Sequence, residues 1–199
     1  MASCIFIGPP GAGKGTQRDR FVSRYGFSTI VPGNLMREEI KKRTDIGLLL
    51  EQTVNKGLLA PHELAMKVVE RKLIEYRDGA IKDILFDGFP REIEQAVAID
   101  ESLRRLCGNM YDIKCVILFE VDDDIVVERI HKRSLISGRQ DDIDDNVIKK
   151  RIEVYHGKIS YVVDKYKKEG ILHNVDGNGD EESVFKQADS IINKFFQSK

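Results

Sequence analysis

A chain of 199 residues, 41% hydrophobic and 33% charged, has the composition of one folded globular domain, which excludes a disordered or low-complexity chain. Its 32 basic and 33 acidic residues nearly cancel, leaving no electrostatic footprint for nucleic acid or an anionic membrane. The three cysteines, Cys4, Cys107 and Cys115, are odd in number and lack metal-ligand spacing, so they read as buried thiols in a reducing compartment.

At the N-terminus Ala2 breaks the N-myristoylation pattern, and no apolar run along the chain is long enough to span a bilayer; a cytosolic setting is expected. Residues 3–7, SCIFI, predict a buried strand. It runs directly into GPPGAGKGT, residues 8–16, with four glycines, two prolines and one lysine in nine positions. A helical pattern follows over 15–25, with Gly26 in its stop position. Residues 27–31 predict a second strand. Two helices with no strand between them then occupy 34–60, over NLMREEIKKRT and DIGLLLEQTVNKG.

Further on, 63–76 predicts a helix, 83–87 a strand, 92–105 a helix, 115–121 a strand and 124–132 a helix. KRSLISGRQDDIDD, residues 132–145, is a polar segment between that helix and a long one over 145–168. A strand at 170–175 and a helix at 181–196 complete the pattern. Near-continuous apolar strands alternating with helices predict an α/β fold with a parallel sheet covered on both faces. The two stretches that break the alternation read as insertions over the sheet's carboxyl edge, where open α/β folds bind ligands.

Gly8, Gly13 and Lys14 match Walker A spacing, except that Gly15 separates Lys14 from Thr16. Glycines let successive N–H groups converge on phosphate oxygens, and the helix that follows adds its positive end. Lys14 supplies a point charge for the outer phosphates, and the Thr16 hydroxyl can face Mg²⁺ or a phosphate. In ILFDGFPR, Asp87 ends an apolar strand, so its carboxylate would emerge at the sheet edge and hold waters on Mg²⁺. A lone aspartate there would instead be a turn former or a helix cap.

Arg37, Arg91, Arg129, Arg133, Arg139 and Arg151 fall at the edges of the two insertions or beside the sheet's carboxyl edge. Arg129 and Arg133 lie four apart and share a helix face. Singly each reads as a solvated surface charge; together they suit the spread charge of a phosphoryl group in transfer. No histidine stands beside these motifs: His62, His156 and His173 sit in helix or strand patterns, and His131 lies on the Arg129 helix. A kinase acting on an alcohol calls for a general base, whereas a phosphate acceptor is already ionised. Many arginines without a base therefore point to a phosphate acceptor. A nucleotide switch would call for an N-K-x-D stretch, which GNMYD at 108–112 does not supply; an inactive nucleotide-binding module is the other non-enzymatic reading.

GPPGAGKGT, DGFPR, SGRQDD and KKRIEVY together make the chain resemble, nearly end to end, the short-lid adenylate kinases among the nucleoside monophosphate kinases. The resemblance implies a P-loop three-layer fold with a five-stranded parallel sheet and helices on both faces. Its core would comprise 1–30, 61–131 and 143–199, with an NMP-binding insertion at 31–60 and a short lid at 132–142. It further implies reversible, Mg²⁺-dependent transfer from ATP to AMP giving two ADP, by a cytoplasmic monomer whose partners are nucleotides, with no nucleic acid, membrane or zinc. Carried over by residue, Gly11, Ala12, Gly13, Lys14, Gly15 and Thr16 would hold the donor phosphates, Arg129 would face the donor adenine and Arg133 its phosphates. Thr16 and Asp87 would hold the metal through water. Pro32, Gly57, Leu58, Leu59, Ala60, Gly88 and Gln95 would line the acceptor side, where Arg37 and Arg91 would clamp the AMP phosphate. Arg139 and Arg151 would bridge toward the transferring group, and Lys14, Arg91, Arg133, Arg139 and Arg151 would carry the catalysis.

Gln95 lies four residues after Arg91, and its amide can both donate to and accept from an adenine edge; the related pyrimidine monophosphate kinases carry asparagine there. Gly57 also reads as a helix C′ glycine ahead of Pro61. VPGN at 31–34 stands where the family carries STGD. Asn34 is expected to N-cap the helix, while Pro32 removes a hydroxyl and a backbone N–H from the acceptor side. UMP, CMP or another acceptor, and GTP as donor, are therefore the enzymatic alternatives. The segment between Arg139 and Arg151 is one residue longer than in the familiar short forms, and a lid this short without cysteine has no room for a four-cysteine zinc site.

Overall fold

In the computed structural model, residues 2–79, 83–108 and 112–197 are described. The centre of the GNMYD stretch, 109–111, lies outside them, as do residues 1, 80–82, 198 and 199 of the expected core. Five strands, β1 (Ala2–Ile7), β2 (Ser28–Ile30), β3 (Ile84–Asp87), β4 (Asp112–Glu120) and β5 (Leu172–Asp176), form one sheet in the order β2-β3-β1-β4-β5. Every pairing is parallel. β1 lies at the centre because it is apolar on both faces: Cys4, Ile5, Phe6 and Ile7 are all buried.

Alternation sorts these side chains into two cores. Ile5, Ile7, Ile84, Phe86, Val116 and Leu118 pack with α4 (His62–Asp78), α5 (Ile93–Cys107) and α7 (Asp145–Lys168). Cys4, Phe6, Leu85, Cys115, Ile117 and Phe119 pack on the opposite face with α1 (Lys14–Tyr25) and α8 (Glu181–Ile192). The result is the three-layer α/β sandwich expected, with the P-loop at the carboxyl end of the central strand. Cys4 and Cys115 face each other across β1 and β4 with sulfurs 3.4 Å apart, and all three cysteines are free and buried. Among the described residues no helix is long and apolar enough to cross a membrane.

Most boundaries differ from the sequence expectation by a residue or two, and the differences at α2, α6, β4 and α8 have physical causes. α2 (Pro32–Lys41) starts at Pro32 with Val31 as its N-cap, not at Asn34, because proline at the first helical position is already preset for helical φ. α3 (Asp45–Val54) completes the pair, capped by the Thr44 side chain. α6 (Asp123–Ser137) continues five residues into the expected polar segment, as far as left-handed Gly138, which ends it. β4 begins at polar Asp112 because Ala2 supplies a partner there. α8 stops at Ile192, and the chain then turns to set Phe196 against Phe27, ring centroids 4.8 Å apart.

Candidate active site

All the site residues expected from the sequence line one cleft of about 820 Å³ at the carboxyl edge of the sheet. Its floor is the loop between β1 and α1. Gly11 permits a close approach there: a Cβ would lie 2.8 Å from the Val126 carbonyl and 2.9 Å from the Ile130 side chain, so α6 rests directly on the loop. Left-handed Gly13 turns the chain into α1, and no side chain caps that helix, which leaves its first N–H groups facing the cleft. Lys14 Nζ donates to the carbonyls of Gly8 and Pro9 at 2.8 and 2.7 Å, folding the lysine back across the loop. Burial lowers Lys14 to about 7, with Asp87 opposing the shift and Arg91, Arg133 and Arg151 adding to it.

Asp87 ends β3 beside Phe6 of β1, which brings its carboxylate next to the loop. The Oδ2 atom accepts from Arg18 Nη1 at 2.9 Å; Arg18 is a cleft residue outside the expected site set. Thr16, in the first turn of α1, is exposed and makes no side-chain hydrogen bond among the described residues. One nearly buried carboxylate and one open hydroxyl beside an anion loop fit a hard cation that draws most of its ligands from phosphate and water. Consistent with that arrangement, no group of three His, Cys, Asp or Glu side chains is placed to hold a metal by itself among the described residues.

Past Asp87 the chain turns at Gly88, and Arg91 Nε donates back to the Gly88 carbonyl at 2.8 Å. Arg91 sits deep among protein atoms but opens to cleft water; the enclosure, then Arg151, lowers it to about 10. Gln95 is buried rather than an exposed helix residue. Its Oε1 accepts from the Arg91 N–H at 2.9 Å and its Nε2 donates to Glu92 Oε1 at 3.1 Å, leaving one N–H and one lone pair for the cleft.

The insertion closes one side. Arg37 Nη2 donates to Asn34 Oδ1 at 2.8 Å, so Asn34 orients this arginine instead of capping α2. Arg37 is lowered to about 10, first by burial and then by Arg139, with Arg91 and Arg151 contributing. At the end of α3 the N–H of Leu58 bonds the Thr53 carbonyl and that of Gly57 bonds Val54, a Schellman closure with Gly57 at φ +73°. A Cβ on Gly57 would stand 2.9 Å from Arg151 Cγ and from the Val147 carbonyl, so this glycine also lets residues 57–60 approach α7. Pro32 and Ala60 are buried in the same wall, with Leu58 more open.

Opposite stand the arginines of α6 and α7. Asp142, fully buried, accepts from Arg133 Nε at 2.7 Å and Nη2 at 2.8 Å, and from Arg151 Nη1 at 2.7 Å. Arg151 also donates to the Asp141 carbonyl at 2.9 Å and lies 3.2 Å from its carboxylate. Arg139 is lowered by burial and by Arg133. Arg129 reaches the β5–α8 loop, where it donates to the Gly177 carbonyl at 2.8 Å and that of Gly179 at 3.2 Å. Asp141 and Asp142 were in view within SGRQDD, but nothing local marks them as holders of Arg133 and Arg151. Arg18 had a usable signal, since it stands four residues after Lys14.

A parallel sheet with a glycine-rich anion loop after its central strand, a carboxylate on the next strand and arginines converging from two insertions defines a P-loop α/β protein built around phosphate groups. The sequence profile described as adenylate kinase matches residues 6–171. An adenylate kinase of Prochlorococcus marinus is 42% identical over 180 residues, covering 90% of this chain and 92% of that protein. One from Synechococcus sp. is 38% identical over 195 residues, covering 98% of each chain. One from Porphyromonas gingivalis is 35% identical over 195 residues, covering 98% and 97%. The chain belongs to the adenylate kinase family.

Proposed function

We propose that this protein catalyses reversible transfer of the γ-phosphate of ATP to AMP, giving two ADP. The observation that carries the reading is electrostatic. Arg37 from the insertion, Arg91 after β3, and Arg139 and Arg151 from the opposite wall lie close enough to perturb one another around Lys14 and Asp87. Such a concentration of cations suits two phosphate chains meeting end to end. The carboxylates at its centre are held by arginines, Asp87 by Arg18 and Asp141 by Arg151, which suits an acceptor that needs no general base.

Gly11 to Thr16 hold the donor phosphates, with Arg129 and the loop around Gly177–Gly179 beside the donor base. Arg37 and Arg91 clamp the acceptor phosphate, whose ionised oxygen attacks the γ-phosphorus while the bond to the β-phosphate oxygen breaks and its electron pair leaves with ADP. Lys14, Arg133, Arg139 and Arg151 stabilise the charge spread over the transferring oxygens. Asp87 and Thr16 would hold a magnesium ion through water; that ion, when bound, would neutralise phosphate charge and orient the donor. Gln95 presents its spare donor and acceptor to the AMP base beside residues 57–60. Residues 31–60 and 132–142 close over the nucleotides and exclude water, so that the γ-phosphate reaches AMP instead of being hydrolysed. The same reading carries a monomer acting in the cytoplasm on nucleotides alone.

Mixing protein, Mg²⁺, ATP and AMP and following ADP tests the reaction. A panel of AMP, UMP, CMP and GMP against ATP and GTP tests the choice of substrates. Absence of ADP from ATP and AMP, with turnover of another pair, overturns the assignment of AMP.

A further inference from the structure

Of the seven arginines among the described residues of the cleft, Arg18 alone has no part in the reaction above. It stands one turn after Lys14 on the same face of α1, and its side chain leans back toward the helix N-terminus, as helix geometry directs. A Cβ on Gly15 would lie 3.9 Å from Arg18 Nη2 and 4.0 Å from Nη1, so the guanidinium lies beside the first turn of α1. Behind it, Asp19 Oδ1 accepts from Nε at 2.8 Å and lies 2.7 Å from Nη2. In front, Nη1 donates to Asp87 Oδ2 at 2.9 Å. Two carboxylates thus fix this cation in one pose, with 18% of its side chain exposed against 8% for Asp87.

We propose that Arg18 shares Asp87 with the divalent cation that accompanies the donor, and so reduces the protein's preference for metal-bound over metal-free triphosphate. The inference rests on the donor site proposed at residues 11–16. A fixed guanidinium occupies one oxygen of the carboxylate that holds the metal's waters, and its charge repels a divalent ion nearby. Toward a triphosphate without metal, the same charge is attractive. Arg18 therefore acts on the two affinities in opposite directions, and their ratio is its signature. An ordinary structural tie between α1 and β3 would leave that ratio alone.

The test is calorimetric titration of the full chain with ATP, once with saturating Mg²⁺ and once with chelator, for wild type, Arg18→Ala and Arg18→Lys. In Arg18→Ala the ratio of metal-free to metal-bound dissociation constants rises by about tenfold, the effect of one charge-assisted hydrogen bond. In Arg18→Lys, which keeps the charge, the ratio stays near the wild-type value. If Arg18→Ala does not fold, Arg18→Gln is read in the same way, since it removes the charge but keeps polar reach. A ratio unchanged by loss of the charge, with ATP still bound in both conditions, overturns the proposal while leaving the donor site standing. Failure of the wild-type protein to bind ATP under either condition overturns the donor site, and the proposal with it.

Discussion

Replacing Asp142 with asparagine preserves the shape of the side chain but removes the charge that Arg133 and Arg151 share. The carboxylate is fully buried and accepts three charge-assisted hydrogen bonds from them, at 2.7, 2.8 and 2.7 Å. An asparagine turns an N–H₂ group toward one of the guanidiniums, leaving donor facing donor. Breaking a buried pair from one side costs about 3–5 kcal/mol. Here Arg133 is 32% exposed and Arg151 keeps Asp141, so the expected loss is reduced to about 2 kcal/mol. For a chain of this size that lowers Tm by about 4–8 °C, measured by thermal unfolding at neutral pH.

The pH dependence of that gap supplies a sign. Burial pushes Asp142 up, but its hydrogen bonds to Arg133 and Arg151 outweigh it and hold the folded value below the ordinary 3.8. A depressed carboxylate contributes its full stability above the unfolded value and loses it as pH falls through the folded one. The difference in Tm between wild type and Asp142→Asn should therefore be constant from about pH 5 to 8 and close in stronger acid. Equal melting at neutral pH, or a gap that persists in strong acid, refutes the role given to this carboxylate.

Lys14→Met and Arg91→Ala should each lower kcat/KM for ADP formation by about a hundredfold or more with the far-ultraviolet spectrum unchanged; near-normal turnover would remove them from the catalytic set. Because burial lowers Lys14 to about 7 and bound phosphates raise it again, ATP binding at about pH 8 should take up about one proton. Calorimetry in buffers of different ionisation enthalpy reads this uptake, which should vanish in Lys14→Met. Gly57→Ala places a Cβ 2.9 Å from Arg151 Cγ at φ +73°, and should destabilise by more than about 1 kcal/mol while raising KM for AMP by a larger factor than KM for ATP. Equal effects on the two KM values would separate residues 57–60 from the acceptor.

The strands were legible because a sheet covered on both faces makes each of them a short apolar run, as in SCIFI and CVILFEV. Their ends were less so. Polar Asp112 joins β4 because Ala2 lies beside it in space, which no local pattern announces. At the site, Lys14 and Asp87 could be read because a loop must follow its strand and a carboxylate must end one. The Arg18–Asp87 pair spans 69 residues and is created by strand order, so only the fold reveals it. Asn34 illustrates a different failure. Capping chemistry and arginine orientation draw on the same side-chain oxygen, and the proline two residues earlier decided which use it received.

The perturbed cations explain why these arginines remain poised for anions. Burial leads the depression of Arg37, Arg91 and Lys14, and neighbouring cations deepen it. At about 10, Arg37 and Arg91 still carry full charge at neutral pH, so deprotonation offers them no relief; Lys14, at about 7, can shed its proton. The repulsion among the arginines is instead offset by Asp87, Asp141 and Asp142, each of which occupies guanidinium donors able to face a phosphate oxygen. On the proposed reading, a nucleotide entering the cleft would replace the carboxylates on Arg133 and Arg151 with phosphate and bring more negative charge than it displaces. That difference would favour drawing Arg37 and Arg139, from opposite walls, toward the same anion, and so would link phosphate binding to the proposed closure of the two insertions.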